Sequence, residues 1–432
     1  MADKSSFLIA ATASGSGKTT ITQGLLRAFR NKGLCTQPFK CGPDYIDTKY
    51  HDMASGNKSV NLDLFLSSEN HVKSIYTKAA SKADVNVTEG VMGLFDGYDK
   101  MRGSSAEIAA LLDIPVILII NAKSMAYSAA AMLYGFKNFY KEINVVGVIF
   151  NFVASESHYH FLKEAAADAG IESLGYLPKN ADIEIPSRHL GLSLDAKYQY
   201  DEFADKIATI VEKHIDLERL LQITKADIEQ YTFNAESQNS DNFKIAVAYD
   251  EAFNFMYHEN IETLKQIGEV SFFSPLRDKE LPPSDLVYLP GGYPELYLKE
   301  LSDNKGMHQS IRTYVENGGN LLPECGGMMY LSTSIADKEG IVYPMVNIFS
   351  QEATMENMKL KLGYRKFEYC GMTIKGHEFH YSSASGNEES IIQQYNAKNI
   401  PVDTKLMRYK NAIGGYTHIY WAEDKNILDL FR

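Results

Sequence analysis

A chain of 432 residues is long for one core and predicts two or three domains, and its 45% hydrophobic and 23% charged residues are the balance of a soluble globular protein. A formal net charge of −12 argues against nucleic acid as the main partner, because a phosphate backbone selects clustered Lys and Arg, yet it leaves room for a locally basic site that takes a small anion. No apolar run, that from Ile114 to Ile120 included, approaches the ~20 residues of a membrane-spanning helix.

The first residues lead directly into an apolar run, Phe7 to Thr12, and a phosphate loop, so no cleaved signal peptide is expected. Ala13-Ser14-Gly15-Ser16-Gly17-Lys18-Thr19-Thr20 stands between that predicted strand and a predicted helix, the context in which a P-loop works. Glycines let the backbone curl so that several N–H groups face one anion, and the helix start adds partial positive charge. Ser14, Gly15, Ser16, Gly17, Lys18, Thr19 and Thr20 are therefore expected to bind ATP, with Lys18 on the β- and γ-phosphates and the Thr19 hydroxyl on Mg²⁺. The strict pattern wants Gly at position 12, where this chain has Thr12.

Cys35 and Cys41 flank an apolar stretch and are expected in the core; four Cys without paired spacing form no disulfide framework, which predicts a cytoplasmic protein. Phe39-Lys40-Cys41-Gly42-Pro43-Asp44-Tyr45-Ile46-Asp47 ends a second predicted strand, where α/β sheets bind ligands. Lys40 suits a phosphate or substrate carboxylate, and Asp44 or Asp47 suits Mg²⁺, although Gly-Pro-Asp is also a common turn. The run Val85 to Thr88 ends on Glu89, a candidate Mg²⁺ ligand, and continues to Asp96 in a Gly-flanked loop able to approach substrate. The runs Val116–Asn121 and Val145–Asn151 end on Asn. Asn151 is the better candidate for an adenine edge, against the commoner role of capping a turn. This alternation predicts a mostly parallel sheet with helices on both faces.

The alternation fades near residue 192. Asp195 to Ile223 reads as charged helix, and the polar stretch Thr224 to Asn242 reads as a linker. The predicted domains are thus 1–223 and 243–432, joined by 224–242. The second opens with a strand at Phe243 to Tyr249. Val287 to Leu289 runs into Pro290-Gly291-Gly292, and Leu321-Leu322 into Pro323-Glu324-Cys325-Gly326-Gly327. A Cys at such a turn is a nucleophile elbow, where a helix start is expected to lower the thiol pKa. The N–H groups of Gly326 and Gly292 are the candidate oxyanion hole. The general base should be a distant His. His418, after Gly414-Gly415, fits that order, with His377 and His380 as further late histidines. His377-Glu378-Phe379-His380 lacks the HExxH spacing and a nearby Cys pair, which argues against zinc. Cys370, before Gly371, reads as a turn residue.

Together these stretches resemble the cobyrinic acid a,c-diamide synthase family of corrin biosynthesis. They include Pro186-Ser187-Arg188-His189-Leu190-Gly191-Leu192, Gly93-Leu94-Phe95-Asp96-Gly97, Gly376 to Ser382 and Tyr416-Thr417-His418. The resemblance implies an α/β protein: an N-terminal P-loop NTPase similar to dethiobiotin synthetase, with a mostly parallel sheet, and a C-terminal class I glutamine amidotransferase domain. It implies a glutamine-hydrolysing carbon–nitrogen ligase that amidates the a- and c-acetates of cobyrinic acid. One ATP and Mg²⁺ serve each acyl phosphate, and glutamine or free ammonia supplies nitrogen. It implies Cys325 as glutaminase nucleophile and His418 as the residue that sharpens it. It also brings Asp47, Glu89 and Asp96 forward as Mg²⁺ or substrate residues. The partners implied are ATP, L-glutamine and a cobyrinic-acid-type tetrapyrrole, with neither nucleic acid nor membrane; a homodimer is the assembly allowed for. Tyr420 stands where many class I enzymes have an acid two residues after the His, so the third member of a triad has no assignment. The same chemistry on nickel-sirohydrochlorin or hydrogenobyrinic acid, a regulatory P-loop ATPase with an inactive glutaminase-like domain, and a corrinoid carrier are the rival readings.

Overall fold

The computed structural model describes residues 4–179, 194–425 without 229–242, and 427–432, with residues 194–199 described by backbone alone. The described residues fall into two compact units, one over 4–179 and 194–228, the other from 243 to the C-terminus. Among them, no helix is long and apolar enough to cross a membrane.

The first unit is built on seven parallel strands: β1 (Ser5–Ala11), β2 (Thr36–Cys41), β3 (Val60–Leu62), β4 (Val85–Glu89), β5 (Val116–Asn121), β6 (Val145–Val153) and β7 (Glu172–Pro178), in the order β3-β2-β4-β1-β5-β6-β7. Side chains alternate across a strand, so β1 sends Leu8 and Ala10 into one core and Phe7, Ile9 and Ala11 into the other. Both faces are buried, which is why β1 reads as an unbroken apolar run rather than as alternation. The order reverses direction at β1, so the loop after it opens at the crevice where such sheets bind ligands. The charged helical stretch appears as Leu194–His214 and Leu217–Ile223. The first residues of the expected linker run along β1: Ser6 N–H donates to the Thr224 carbonyl (2.9 Å) and Ala226 N–H to that of Lys4 (3.0 Å). Residues 229–242, and the segment 186–192 used in the resemblance, lie outside the described residues.

The second unit has a six-stranded sheet built on β8 (Lys244–Ala248), β9 (Glu269–Phe273), β10 (Leu286–Leu289) and β11 (Asn320–Pro323). It is extended beyond β11 by Ala412–Gly415 and the antiparallel edge Leu406–Tyr409. A separate antiparallel sheet pairs Lys361–Tyr369 with Met372–His380, and the latter with His418–Ile419. Cys370 turns between the first two at φ 49°. Cys41 is buried as expected. Cys35 is exposed, a correction: it lies in the loop before β2, outside the sheet that covers Cys41.

Candidate functional site

The loop after β1 curls through Gly15 (φ 76°) and Gly17 (φ 92°), both in the left-handed region that favours glycine. Ser14 and Gly15 form its exposed tip, and Ser16 Oγ donates to the Ala13 carbonyl at 2.8 Å, closing the turn. The helix Lys18–Asn31 begins at Gly17 with no side-chain cap, so its first N–H groups face the loop, and Thr20 lies in the first turn. Lys18 Nζ donates to the Met92 carbonyl at 2.5 Å. Asn151, expected at an adenine edge, donates its amide to the Ser16 carbonyl (3.0 Å) and accepts from Phe152 N–H (2.9 Å). A Cβ on Gly17 would fall 2.0 Å from Asn151 Nδ2, so this amide braces the loop from beneath.

Below the loop, four side chains meet at the ends of β2 and β4. Lys40 Nζ bridges Asp47 Oδ2 (2.6 Å) and Glu89 Oε1 (2.8 Å). Thr19 Oγ1 donates to the same Glu89 oxygen at 2.8 Å and stands 3.3 Å from Asp47 Oδ2. Glu89 Oε2 meets His51 Nε2 at 2.7 Å, and all five residues but Thr19 are buried. Burial opposes the charge on Lys40, but Asp47 and Glu89 outweigh it and hold the ammonium above its ordinary range. Burial likewise opposes ionisation of Glu89, and Lys40 with His51 outweighs it, keeping that carboxyl well below the usual carboxylate range. Burial and Asp44 push Asp47 up to about 6 against the pull of Lys40. Two carboxylate oxygens thus converge on one cation and the Thr19 hydroxyl reaches both of them, a donor set that suits hard Mg²⁺ once phosphate oxygens join it. Among the described residues no three His, Cys, Asp or Glu side chains form a cage of their own. Asp44 makes the turn: its Oδ1 accepts the N–H groups of Ile46 and Asp47, both at 2.8 Å. Asp96 Oδ2 accepts Gly93 N–H at 3.0 Å and shapes its own loop.

The second constellation sits at the ends of β10 and β11. Cys325 has φ 48° and ψ −106°, a conformation seldom adopted by a residue with a side chain, and its N–H is held by the Gly415 carbonyl at 2.7 Å. The helix Gly326–Leu331 starts directly after it. A Cβ on Gly326 would lie 3.0 Å from Gly292 N, so the two backbones that carry the candidate oxyanion donors abut. A Cβ on Gly291 would lie 2.3 Å from His418 Cε1, so the imidazole packs on the glycine turn that flanks the elbow. Cys325 is 4% exposed and its Sγ lies 3.9 Å from the Phe379 carbonyl. The expected lowering of its pKa by a helix start is overturned. Burial, then the Glu295 carboxyl, drives the thiol well above its ordinary range and outweighs the Gly326 N–H, which favours the thiolate. Burial also pushes His418 down to about 3. Each group therefore rests neutral, Cys325 as thiol and His418 as imidazole.

His377 pairs with His418 across the antiparallel sheet, and Glu378 and His380 belong to an ion network. Arg365 Nε (2.5 Å), Thr404 Oγ1 (2.6 Å) and His380 Nε2 (2.7 Å) surround the Glu378 carboxylate, and the His380 ring stacks on Tyr416 with centroids 3.7 Å apart. Sequence reasoning missed His51 and Glu324. His51 had a signal, since it lies four residues after Asp47 on one helix face. Glu324 had none beyond adjacency to the nucleophile.

A family profile described as a CobQ/CobB/MinD/ParA nucleotide binding domain matches residues 7–192, and one described as a CobB/CobQ-like glutamine amidotransferase domain matches residues 244–426. The cobyrinate a,c-diamide synthase of Caldanaerobacter subterraneus subsp. tengcongensis is 42% identical over 428 residues, which is 96% of this chain and 94% of that protein. The enzyme of the same name from Listeria innocua is 38% identical, covering 98% of this chain and 97% of its own. That from Picrophilus torridus is 39% identical, covering 99% and 98%.

Proposed function

This chain belongs to the cobyrinate a,c-diamide synthase family, and we propose from that premise that it converts the a- and c-acetates of cobyrinic acid to amides, spending one ATP on each and taking nitrogen from glutamine. The triphosphate sits on the backbone amides of residues 14–20, with Asn151 keeping the loop in shape. Thr19, Asp47 and Glu89 would hold Mg²⁺, which neutralises charge developing on the phosphoryl oxygens. Lys18 exchanges its resting contact with the Met92 carbonyl for the phosphates, and Lys40 adds positive charge beneath them. A substrate carboxylate oxygen attacks the γ-phosphorus and ADP leaves, giving an acyl phosphate. Asp44 and Asp96 shape the loops that border this substrate.

In the second unit, Cys325 attacks the glutamine amide carbon while His418 takes the thiol proton and passes it to the departing ammonia. The Gly292 and Gly326 N–H groups receive the oxyanion. Water releases glutamate from the thioester, and ammonia displaces phosphate from the acyl phosphate to form the amide. The observation that carries this reading is the elbow: a residue held at φ 48° between two glycine turns, with an imidazole laid against one of them.

Replacing Cys325 by Ala tests it. Glutamine-driven synthesis should vanish, and synthesis from ammonium salts should persist, read as two acid-to-amide mass shifts of cobyrinic acid. Loss of both would break the proposed division of labour. Nickel-sirohydrochlorin and hydrogenobyrinic acid, offered in parallel, test the choice of macrocycle.

A further inference from the structure

Tyr420 stands two residues after His418, where many class I enzymes carry the acid that orients the base, and the inference rests on the function proposed above. We propose that Glu324, the residue immediately before the nucleophile, positions His418 and steadies the imidazolium that forms as Cys325 gives up its proton. The inference rests on the Cys325–His418 reading and completes that dyad from a place in the chain where no acid was expected.

Glu324 follows β11 and is 2% exposed. Its Oε1 accepts the N–H of Ile419 at 2.9 Å, which fastens the backbone next to His418 to the carboxyl. Its Oε2 accepts the Tyr288 hydroxyl at 2.7 Å and lies 3.9 Å from His418 Nδ1. Tyr288 stands on β10, packed edge-on against Trp421 with ring centroids 5.1 Å apart. One carboxyl therefore ties together β10, the end of β11 and the strand His418–Ile419. An acid on the Nδ1 side of an imidazole is placed to favour its protonated form, as in triads of this kind. The 3.9 Å separation exceeds hydrogen-bond reach, so in the resting state the effect acts through space.

The other titratable groups near His418 are His377, Glu378 and His380 on the neighbouring strand. Glu378 is already committed to Arg365, Thr404 and His380. On the elbow side stand Cys325 and Glu295, and behind Glu324 stands Tyr288. Burial pushes Glu324 up to about 8 while Ile419 and Tyr288 pull the other way, so its charge is weakly held alone and is favoured by an adjacent imidazolium. No redox step enters. The proton moves from Sγ to His418 and then to ammonia, and Glu324, ionised in the working state, neither gives nor takes one.

The test is Glu324→Gln, which is nearly isosteric. Steady-state glutamine hydrolysis is followed from pH 2.5 to pH 9, a window that reaches past the resting His418 value of about 3. The expected result is a kcat lower by about 10- to 100-fold, a KM for glutamine within about twofold, and an ascending limb of the pH profile displaced to lower pH, because the imidazole has lost its acid. A merely structural role would lower the melting temperature without moving that limb. An unchanged kcat and pH profile overturns the proposal. If circular dichroism shows that Glu324→Gln does not fold, Tyr288→Phe decides. It keeps the carboxyl but removes the hydroxyl that favours its charged form, so the limb must move to lower pH, and an unmoved limb overturns the proposal. Cys325→Ala assayed alongside separates the two ideas. If it still hydrolyses glutamine, the dyad reading itself fails; if it does not and Glu324→Gln matches the parent, only the role of Glu324 fails.

Discussion

The two units carry their chemistry at the same address, the loops beyond the carboxyl ends of a parallel sheet, and they stabilise it by opposite means. In the first, buried charge is answered by buried charge: Lys40 spans Asp47 and Glu89, and His51 takes the remaining Glu89 oxygen. In the second, two buried titratable groups are kept neutral: burial holds Cys325 as a thiol and His418 as free base, and Cys325 sits at φ 48°. Under the proposed function, the difference follows from the substrates. A triphosphate arrives with its own charge and cation, so its site must be polar and already balanced when empty. An uncharged amide group brings no such compensation, and an ionised nucleophile waiting for it in the interior would cost several kcal/mol.

The comparison breaks most visibly at Lys40. Replacing it with Met leaves two carboxylates buried without their cation, and truncating one partner of a buried ion network costs about 3–5 kcal/mol. The first unit should melt well below the parent in calorimetry, and millimolar Mg²⁺ should recover part of the loss by standing between the same oxygens. If Lys40→Met melts with the parent, Lys40 does not balance the buried carboxylates. The corresponding break in the second unit is steric. Gly291→Ala would place a methyl group 2.3 Å from His418 Cε1 and push the imidazole off its turn. Glutamine-driven amidation should fall by about 100-fold or more, while ammonia-driven amidation holds. Equal loss of both would show that the glycine turn serves the whole chain.

Which parts were legible beforehand depends on how local their causes are. β1, β4, β5 and β6 were readable because burial on both faces makes each a short apolar run, and the P-loop because glycines, Lys18 and Thr19 lie within eight residues. Cys325 and His418 stand out by residue type and order. The pairing of His51 with Glu89 spans 38 positions, and that of Glu324 with Ile419 spans 95, so neither leaves a local pattern. β3 has three residues, too few to show a period. The sign of the shift at Cys325 was misjudged because a motif reveals the helix start beside the sulfur but not the depth of burial around it.

Acid sharpens the contrast less steeply. Burial disfavours the Glu378 carboxylate, but His380, Thr404 and Arg365 outweigh it and hold the group down at about 2, below the ordinary 4.5. A carboxyl depressed on folding contributes stability that is complete above its unfolded value and is lost as pH falls toward the folded one, since the unfolded chain then binds the extra proton. The second unit should lose stability between about pH 4.5 and 2, and Glu378→Gln should flatten that loss. Urea midpoints at pH 5 and pH 3 measure it, and an equal decline in both proteins would remove Glu378 as a cause.

The smallest effect concerns the other buried thiol. Burial pushes Cys41 up to about 12, much as it raises Cys325, so protonation state alone does not separate them. Their backbones and neighbours do. Cys41 lies within regular β2, 1% exposed in the apolar core with Phe39 and Leu62, whereas Cys325 is held at φ 48° among glycine amides. Cys41→Val exchanges one small apolar side chain for another and gives up a weak contact with Ser105, so stability should change by no more than about 1.5 kcal/mol. Amidation with either nitrogen donor should be unaltered. A large loss of activity from Cys41→Val would mean that a sulfur in the first unit takes part in the chemistry, and the assignment of all thiol chemistry to the second unit would fall with it.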